Sequence, residues 1–543
     1  MSELHQKLLE IRREIYDRLK KTAVSYDVIT SKELKSYYDS QSAYEDIDFQ
    51  SISSQDFISL ALGSDIIYIG DFHTFDQSSR NFNRLIKILV DQKTTISLGL
   101  EMVNSADQHA IESFLSGHLT EKEFLESINY RESWRFPWAH YSELFKLAKK
   151  NKLKVYGLNS QGTLEERDDH ASKIISKVIT KDSKSKFLTL FGELHIIPDK
   201  LPRKVQKNTS NKFKDLIVHQ NLDQIYWRQL EQNPESRIES SIVQIRENEV
   251  SLQNSPPWIK LESYIYWFEN LIDDPEFDIH EYSIETSVKL FNSNIYDNFS
   301  YFTKKICDSL NIQMSPEEIE SYNLYDHQSL EYVVAQVMKK NGSEFYQSLI
   351  KQSEIFQIFG SNIFYCPSYS LNRIVYLAGN HIFSTLFKRN RNLDSDDEYK
   401  FTYLVFYFSF GYFCSKILNP YRKCLLYPDL QKELEILNSQ EGVSEQKSTE
   451  IYYALAVDIL DQTADIEEID QLPLDIKYHS ARLAGNCIGD LIYSKYDTLG
   501  KFWIEEMINL LLKDKMKPNS LFQLIDDLKE SNPDFYTRPK KIF

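Results

Sequence analysis

The chain is 543 residues long, with 42% hydrophobic and 26% charged residues, the composition of an ordinary soluble globular protein of two or three domains. Acidic residues (80) outnumber Lys and Arg (63) for a net charge of −17, and the basic residues form no stripe, which argues against nucleic acid or an anionic membrane as partner. Tyr (34) and Phe (32) are abundant and Gly (15) is scarce, favouring packed helices over loop-rich folds.

From Ser2 to about Asp48, apolar Leu4, Leu8, Ile11, Ile15 and Leu19 recur at three- and four-residue spacing. This predicts an N-terminal helical extension over 1–48, with Thr30-Ser31 capping a second short helix. The segment has no apolar h-region, so the expected location is the cytoplasm. The run SDIIYIGDFH then places β-branched Ile66, Ile67 and Ile69 around Tyr68 and ends at Gly70, as a buried strand of a parallel sheet does. A helix is expected at 78–90, a strand at 95–102 (TISLGLEM) and a helix at 106–116. A strand at 153–160 (LKVYGLNS), a helix at 164–179 and a strand at 186–195 (KFLTLFGELH) follow. This alternation predicts an α/β domain over 49–230, with a mostly parallel sheet flanked by helices. Ligands of such sheets bind beyond the carboxyl ends of the strands.

Past about Leu230 the strand signal stops. Long aromatic amphipathic stretches such as 280–306 predict a large all-helical region over 231–543. The uncharged stretch 401–415 (FTYLVFYFSFGYFCS) is shorter than the roughly 20 residues needed to span a bilayer, and reads as a buried core helix with no membrane span. LAGNHIFSTL (377–386) and LAGNCIGDLI (483–492) hint at a duplicated helical unit. The acidic run 394–398 and the polar run 438–448 read as linkers. Cys307, Cys366, Cys414, Cys424 and Cys487 are scattered without CxxC pairing and read as reduced core thiols.

Chemistry concentrates at three strand ends. Gly70-Asp71-Phe72-His73 and Gly192-Glu193-Leu194-His195 each place a carboxylate two residues before a histidine, and residues two apart at a strand end share a side. The glycines let the backbone turn close to the site. Glu101 ends a third strand. Mixed His and carboxylate groups suit zinc, manganese or iron, with Asp71, His73, Glu101, Glu193 and His195 as candidate metal ligands. His73, Glu101 and His195 are also candidates for general base chemistry. Arg80 and Arg167 are candidates for binding an anionic substrate, or partners of Asp71 and Asp168. Tyr68 and Trp138 read as core, His109 and His118 as surface residues, and His381 as structural.

The stretch DIIYIGDFHTFDQSSRNFNRLI, LGLEMVNSADQHAIESFLSGHLTEKEFLE, WRFPWAHYSELFKLAKKNKLKVYGLN, ERDDHASKI and LFGELHIIPDKLP resembles the ChaN-like domain of the haem-binding uptake, Tiki, TraB and erythromycin esterase superfamily, over roughly 55–205. The resemblance implies a Gly-Glu-x-His motif met by Gly70 to His73, with Asp71 in place of Glu. It also implies a strand-ending Glu met by Glu101, then a Gln met by Gln108. Trp138 and Tyr141, Asn159, the Arg167-Asp168 pair, and Gly192 with His195 answer the remaining family positions. Members of the family bind haem or hydrolyse peptides and esters. The expectation is a cytoplasmic hydrolase acting on a small-molecule or peptide substrate, whose site binds a divalent metal or activates water. Arg80, Gln108, Tyr141, Asn159, Arg167 and Asp168 would face the ligand. The alternative is a haem- or ligand-binding protein, or a scaffold whose helical half recruits a protein partner.

Overall fold

The computed structural model describes residues 3–26, 40, 44–232, 241–271, 298–340, 342–368, 370–389, 397–420, 422–439, 444–499, 518–530, 532 and 535. Two compact units result, Met1–Pro275 and Glu276–Phe543.

The first unit is built on an eight-stranded sheet. Its strands are β1 (Gln50–Ile52), β2 (Ile66–Asp71), β3 (Ile96–Asn104), β4 (Lys154–Asn159), β5 (Lys186–Gly192), β6 (Asp215–Gln220), β7 (Ser241–Arg246) and β8 (Glu249–Gln253). They lie in the order β1-β7-β8-β6-β2-β5-β3-β4, with β8 through β4 mutually parallel and β7 antiparallel to both its neighbours. Nine helices of the unit matter below: α1 (Glu3–Tyr26), α2 (Ser54–Gly63), α3 (Gln77–Asp91), α4 (Gln108–Leu115), α5 (Ala139–Asn151), α6 (Leu164–Lys181), α7 (Leu201–Asn208), α8 (Asp223–Gln232) and α9 (Pro257–Tyr266). Every residue of β2 is buried, as the unbroken apolar run requires of a strand covered on both faces. Ile175 and Ile179 of α6 and Leu201 and Val205 of α7 close one face over Ile66, Tyr68 and Phe187. Each such fully buried apolar side chain contributes about 1.5–3 kcal/mol of transfer free energy.

The expected strand and helix alternation is present, and the sheet extends further than the sequence signal does. Strands β7 and β8 form a hairpin past residue 230, in a stretch where the strand signal fades. Strand β8 is buried yet carries Glu249, Ser251 and Gln253, so its pattern does not read as apolar. The structure solves this locally: Glu249 accepts from Tyr44 Oη (2.6 Å), pairs with His219 (2.6 Å) and meets Arg246. Leu8, Ile11, Ile15 and Leu19 are the buried face of α1, and Tyr16 Oη donates to Asp223 of α8 at 2.7 Å. Thr30-Ser31 and most of 280–306 lie outside the described residues.

Neighbouring strands β2 and β5 pair in register through Asp71 and Gly192, so the two Gly-x-x-His motifs emerge side by side, offset by one residue. From β2 the chain proceeds to β3 on one side of the pair, and from β5 to β6 on the other. Opposite departures leave a crevice between these carboxyl ends, where open α/β sheets bind ligands.

The second unit is dominated by helices and holds a small sheet of β9 (Asn323–Tyr325), β10 (Phe356–Ile358) and β11 (Ile363–Tyr365). Its helices include α10 (Asn298–Leu310), α11 (Leu371–Arg389), α12 (Phe401–Leu418), α13 (Ser444–Asp461) and α14 (Leu474–Leu499). Helix α12 is apolar on all sides because α11 and α14 pack against it. Among the described residues it alone is long and apolar enough to cross a membrane, and 89% of it is buried inside the unit. Both LAGN segments bring their glycine onto α12. A Cβ on Gly379 would lie 2.8 Å from Cys414 Cβ, and one on Gly485 would lie 2.8 Å from Phe408 Cβ and from the Val405 carbonyl.

A Gly485→Ala substitution must therefore push α14 off α12, and is expected to cost about 1–3 kcal/mol as overpacking does. At Gly63, by contrast, a Cβ meets nothing within 4 Å, and Gly63→Ala should be neutral or mildly stabilising. Thermal denaturation of the two variants beside the parent checks the contrast; equal melting temperatures would refute the close-approach account.

Candidate functional site

Glu101 sits at the carboxyl end of β3, only 2% exposed. Its Oε2 accepts the Gly192 backbone N–H at 2.5 Å, and Oε1 meets the Arg167 guanidinium from the first turn of α6. Arg167 is itself steadied by Nε donating to Asn159 Oδ1 at 3.1 Å. Two imidazoles flank the carboxylate, with His73 Nε2 at 3.9 Å from Oε2 and His195 Nε2 at 3.9 Å from Oε1.

Each imidazole is oriented through its other nitrogen. His73 Nδ1 pairs with Asp71 Oδ2 at 2.9 Å, and His195 Nδ1 with Asp168 Oδ1 at 2.6 Å. A carboxylate on Nδ1 fixes the Nδ1–H tautomer and makes Nε2 the basic nitrogen. Tyr141 Oη donates to the same Asp71 oxygen at 2.9 Å, and a His140 ring N–H donates to the His73 carbonyl at 3.2 Å. All of this gathers over Gly192, where a Cβ would lie 3.1 Å from Glu101 Oε2, 3.3 Å from His195 and 3.5 Å from His73. A side chain at the motif glycine would press on all three of these groups.

Burial tends to push the Glu101 carboxyl up, but His73, His195, Arg167 and the Gly192 N–H together hold it below its ordinary range. For His73 burial works toward the neutral form, and the hydrogen bond and charge of Asp71, with Glu101, overcome it and raise the imidazole above its usual value. Burial and then Asp71 push the Tyr141 phenol well up, so it stays a donor.

The structure thus brings Asp71, His73, Glu101, Tyr141, Asn159, Arg167, Asp168 and His195 together, and not the other candidates. Glu193 turns away onto Lys260 of α9, 3.1 Å from its Nζ, with the lysine 7% exposed. Arg80 lies on α3, 42% exposed, and pairs with Asp76 at 3.0 Å instead of Asp71 or Asp168. Gln108 acts as a surrogate strand for the sheet edge: its Nε2 donates to the Val155 carbonyl and its Oε1 accepts the Gly157 N–H. Among the described residues no group of three or more His, Cys, Asp or Glu is arranged to hold a metal ion. Both Glu101 oxygens are occupied by protein donors, Glu193 is diverted, and Asp71 and Asp168 are spent on Nδ1 atoms. The expected five-residue ligand set does not fit a divalent cation in this arrangement.

Some neighbours leave little trace in the sequence. Trp134 and Phe136 stand against His73 with ring centroids 4.6 and 4.9 Å away, and Phe136 stacks on Trp267 at 4.7 Å. The one hint is the aromatic density of WRFPW. Lys260 leaves none, since its partner is 67 positions away.

The charge arrangement has opposite pH signatures. The His73 contribution is complete below its ordinary 6.5 and is lost as pH rises through its raised folded value. The Glu101 contribution is present above 4.5 and is lost as pH falls through its depressed value. Imidazole NMR titration should find His73 above the usual range, and Asp71→Asn should lower it. An unchanged titration in Asp71→Asn would refute the pairing. Gly192→Ala should destabilise the unit by about 1–3 kcal/mol.

Residues 57–167 match a family model described as haem-binding uptake, Tiki superfamily, ChaN. No curated protein matches the chain at a significant level. A solved structure described as cofacial heme binding to ChaN of Campylobacter jejuni is 18% identical, with 32% of this chain and 87% of that one covered and a TM-score of 0.25. The family-model match takes in Asp71, His73, Glu101, Tyr141, Asn159 and Arg167, so this stretch of the first unit is similar to the haem-binding uptake, Tiki superfamily, ChaN family.

Proposed function

We propose that the chain is a cytoplasmic hydrolase in which the cluster around Glu101 activates water for attack on an ester or amide. The observation that carries this reading is the pair of imidazoles, each held by a buried aspartate on Nδ1 and each presenting Nε2 to one carboxylate. An imidazole so oriented takes a proton at Nε2 while the aspartate stabilises the imidazolium that forms. His73 is the base that a substrate water can reach, because its side chain is 23% exposed and that of His195 only 6%. Asp71 raises its proton affinity, which strengthens it as a base in its neutral form. Arg167, 20% exposed, is the cation nearest the reacting groups and would steady negative charge on the substrate.

Assay of the purified chain against p-nitrophenyl esters and a peptide panel tests the proposal. His73→Ala should lower kcat/KM by about 10²–10⁴-fold with the fold intact, as loss of a general base does. Absence of turnover across the panel, or full activity in His73→Ala, would overturn it. A stoichiometric divalent ion that disappears in His73→Ala/His195→Ala would instead move the site to metal-assisted chemistry.

A second reading is supported by the family match and by one feature of the site. The exposed edge of His73 is bordered by Trp134 and Phe136, which suits a planar apolar ligand such as haem. His73 Nε2 would hold the iron, with Asp71 on the opposite nitrogen strengthening the imidazole as a ligand. Haem bound there would supply the redox and ligand-binding chemistry of its iron. Hemin titration should then give a Soret shift that His73→Ala abolishes.

A further inference from the structure

The two LAGN segments place different residues at the position that precedes them: Tyr376 on α11 and Arg482 on α14. These two residues, with Arg373 and Arg422, gather in one place in the second unit. Arg482 Nη1 donates to Glu354 Oε2 at 2.6 Å, each side chain 29% exposed. Tyr376 Oη donates to Asn486 Oδ1, in the second LAGN segment, at 2.9 Å. Arg422, in the connection after α12, lies over the rings of Tyr376 and Tyr412, 5.1 and 5.2 Å from their centroids. Its Nη1 donates to the Asn372 carbonyl at 2.9 Å, and among the described residues no carboxylate partners it. Arg373 donates to Ser368 Oγ at 2.6 Å.

Their fields overlap. Against the effect of burial, Glu354 is held below its ordinary range first by Arg482, with Arg373 and His479 adding to it. Burial pushes the Tyr376 phenol up, and Arg482 and Arg422 both act the other way. Three half-buried guanidinium groups therefore bear on one patch. Glu354 answers the charge of Arg482, whereas Arg422 is answered by a carbonyl and two ring faces. Cation–π contact offsets about 0.5–2 kcal/mol of such a charge, less than an anion would. In a chain of net charge −17 this concentration of positive charge is local and specific. Guanidinium forks match the oxygens of a phosphate, which accepts from several forks at once, and aromatic faces beside them accommodate the group that carries it.

We propose that Arg373, Arg422 and Arg482, framed by Tyr376 and Tyr412, form a binding site for a small phosphate-bearing molecule. The site belongs to the second unit and is independent of the hydrolytic reading of the first. Isothermal titration of the full chain with inorganic phosphate and with phenyl phosphate, at ionic strength fixed with chloride, tests it. Saturable binding at one site is expected, weakened at least about ten-fold by Arg422→Gln and less by Arg422→Lys. Tighter binding of phenyl phosphate assigns a phosphate ester as ligand, and equal binding assigns free phosphate. Because Arg482→Gln alone strands Glu354 and can unfold the unit, the paired Arg482→Gln/Glu354→Gln variant is the second probe and should also bind about ten-fold more weakly. No saturable heat with either compound, or affinity unchanged in folded Arg422→Gln, overturns the proposal.

Discussion

Burying the Glu101 carboxylate at the end of β3 sets conditions on much of the first unit. A charge this far from water costs several kcal/mol unless it is met at close range, and removing one partner of such a pair is strongly destabilising. Glu101 is met on one oxygen by Arg167 and on the other by the Gly192 N–H. The first requires α6 to begin where it does, with its capping box at Thr163 and Glu166 and with Asn159 at the end of β4 steadying the guanidinium. The second is supplied by the backbone at the end of β5, where a Cβ would lie 3.1 Å from Glu101 Oε2. Three strand ends and a helix start are thereby tied to one side chain.

Around that anchor the two Gly-x-x-His motifs, alike in letters, have diverged in surroundings. In the first motif the acid two residues ahead of the histidine serves it directly, Asp71 on Nδ1 of His73. In the second that task falls to Asp168 of α6, and the motif's own Glu193 is drawn to Lys260. Lys260 also lies 4.0 Å from Asp223, to which Tyr16 of α1 donates, so an ionic chain links the N-terminal helix to the second motif. The buried lysine keeps its charge because Glu193 and Asp223 outweigh burial.

The second unit handles its demands by shape. Helix α12 presents aromatic side chains all round, and its neighbours bring Gly379, Gly485 and Gly489 close against it. One of the unit's polar clusters joins Glu354 to Arg482 and Tyr376 to Asn486.

Patterns local in sequence are legible in the order of the residues alone: the apolar run of β2, the spacing in α1, the uncharged stretch that forms α12, and the ordered motifs that bring His73, Glu101 and His195 to strand ends. Periodicity and strand-end glycines report on neighbours a few residues away, and those neighbours determine local conformation. Tertiary structure alone decided the rest. Strand β8 reads as polar because its partners, His219 and Tyr44, lie 30 and 205 positions away. Arg80, Arg167 and Glu193 are all charged residues with equal sequence claims on the site. Only Arg167 reaches Glu101, because a charge pairs with whatever folding brings within a few ångströms, and no local pattern carries that distance.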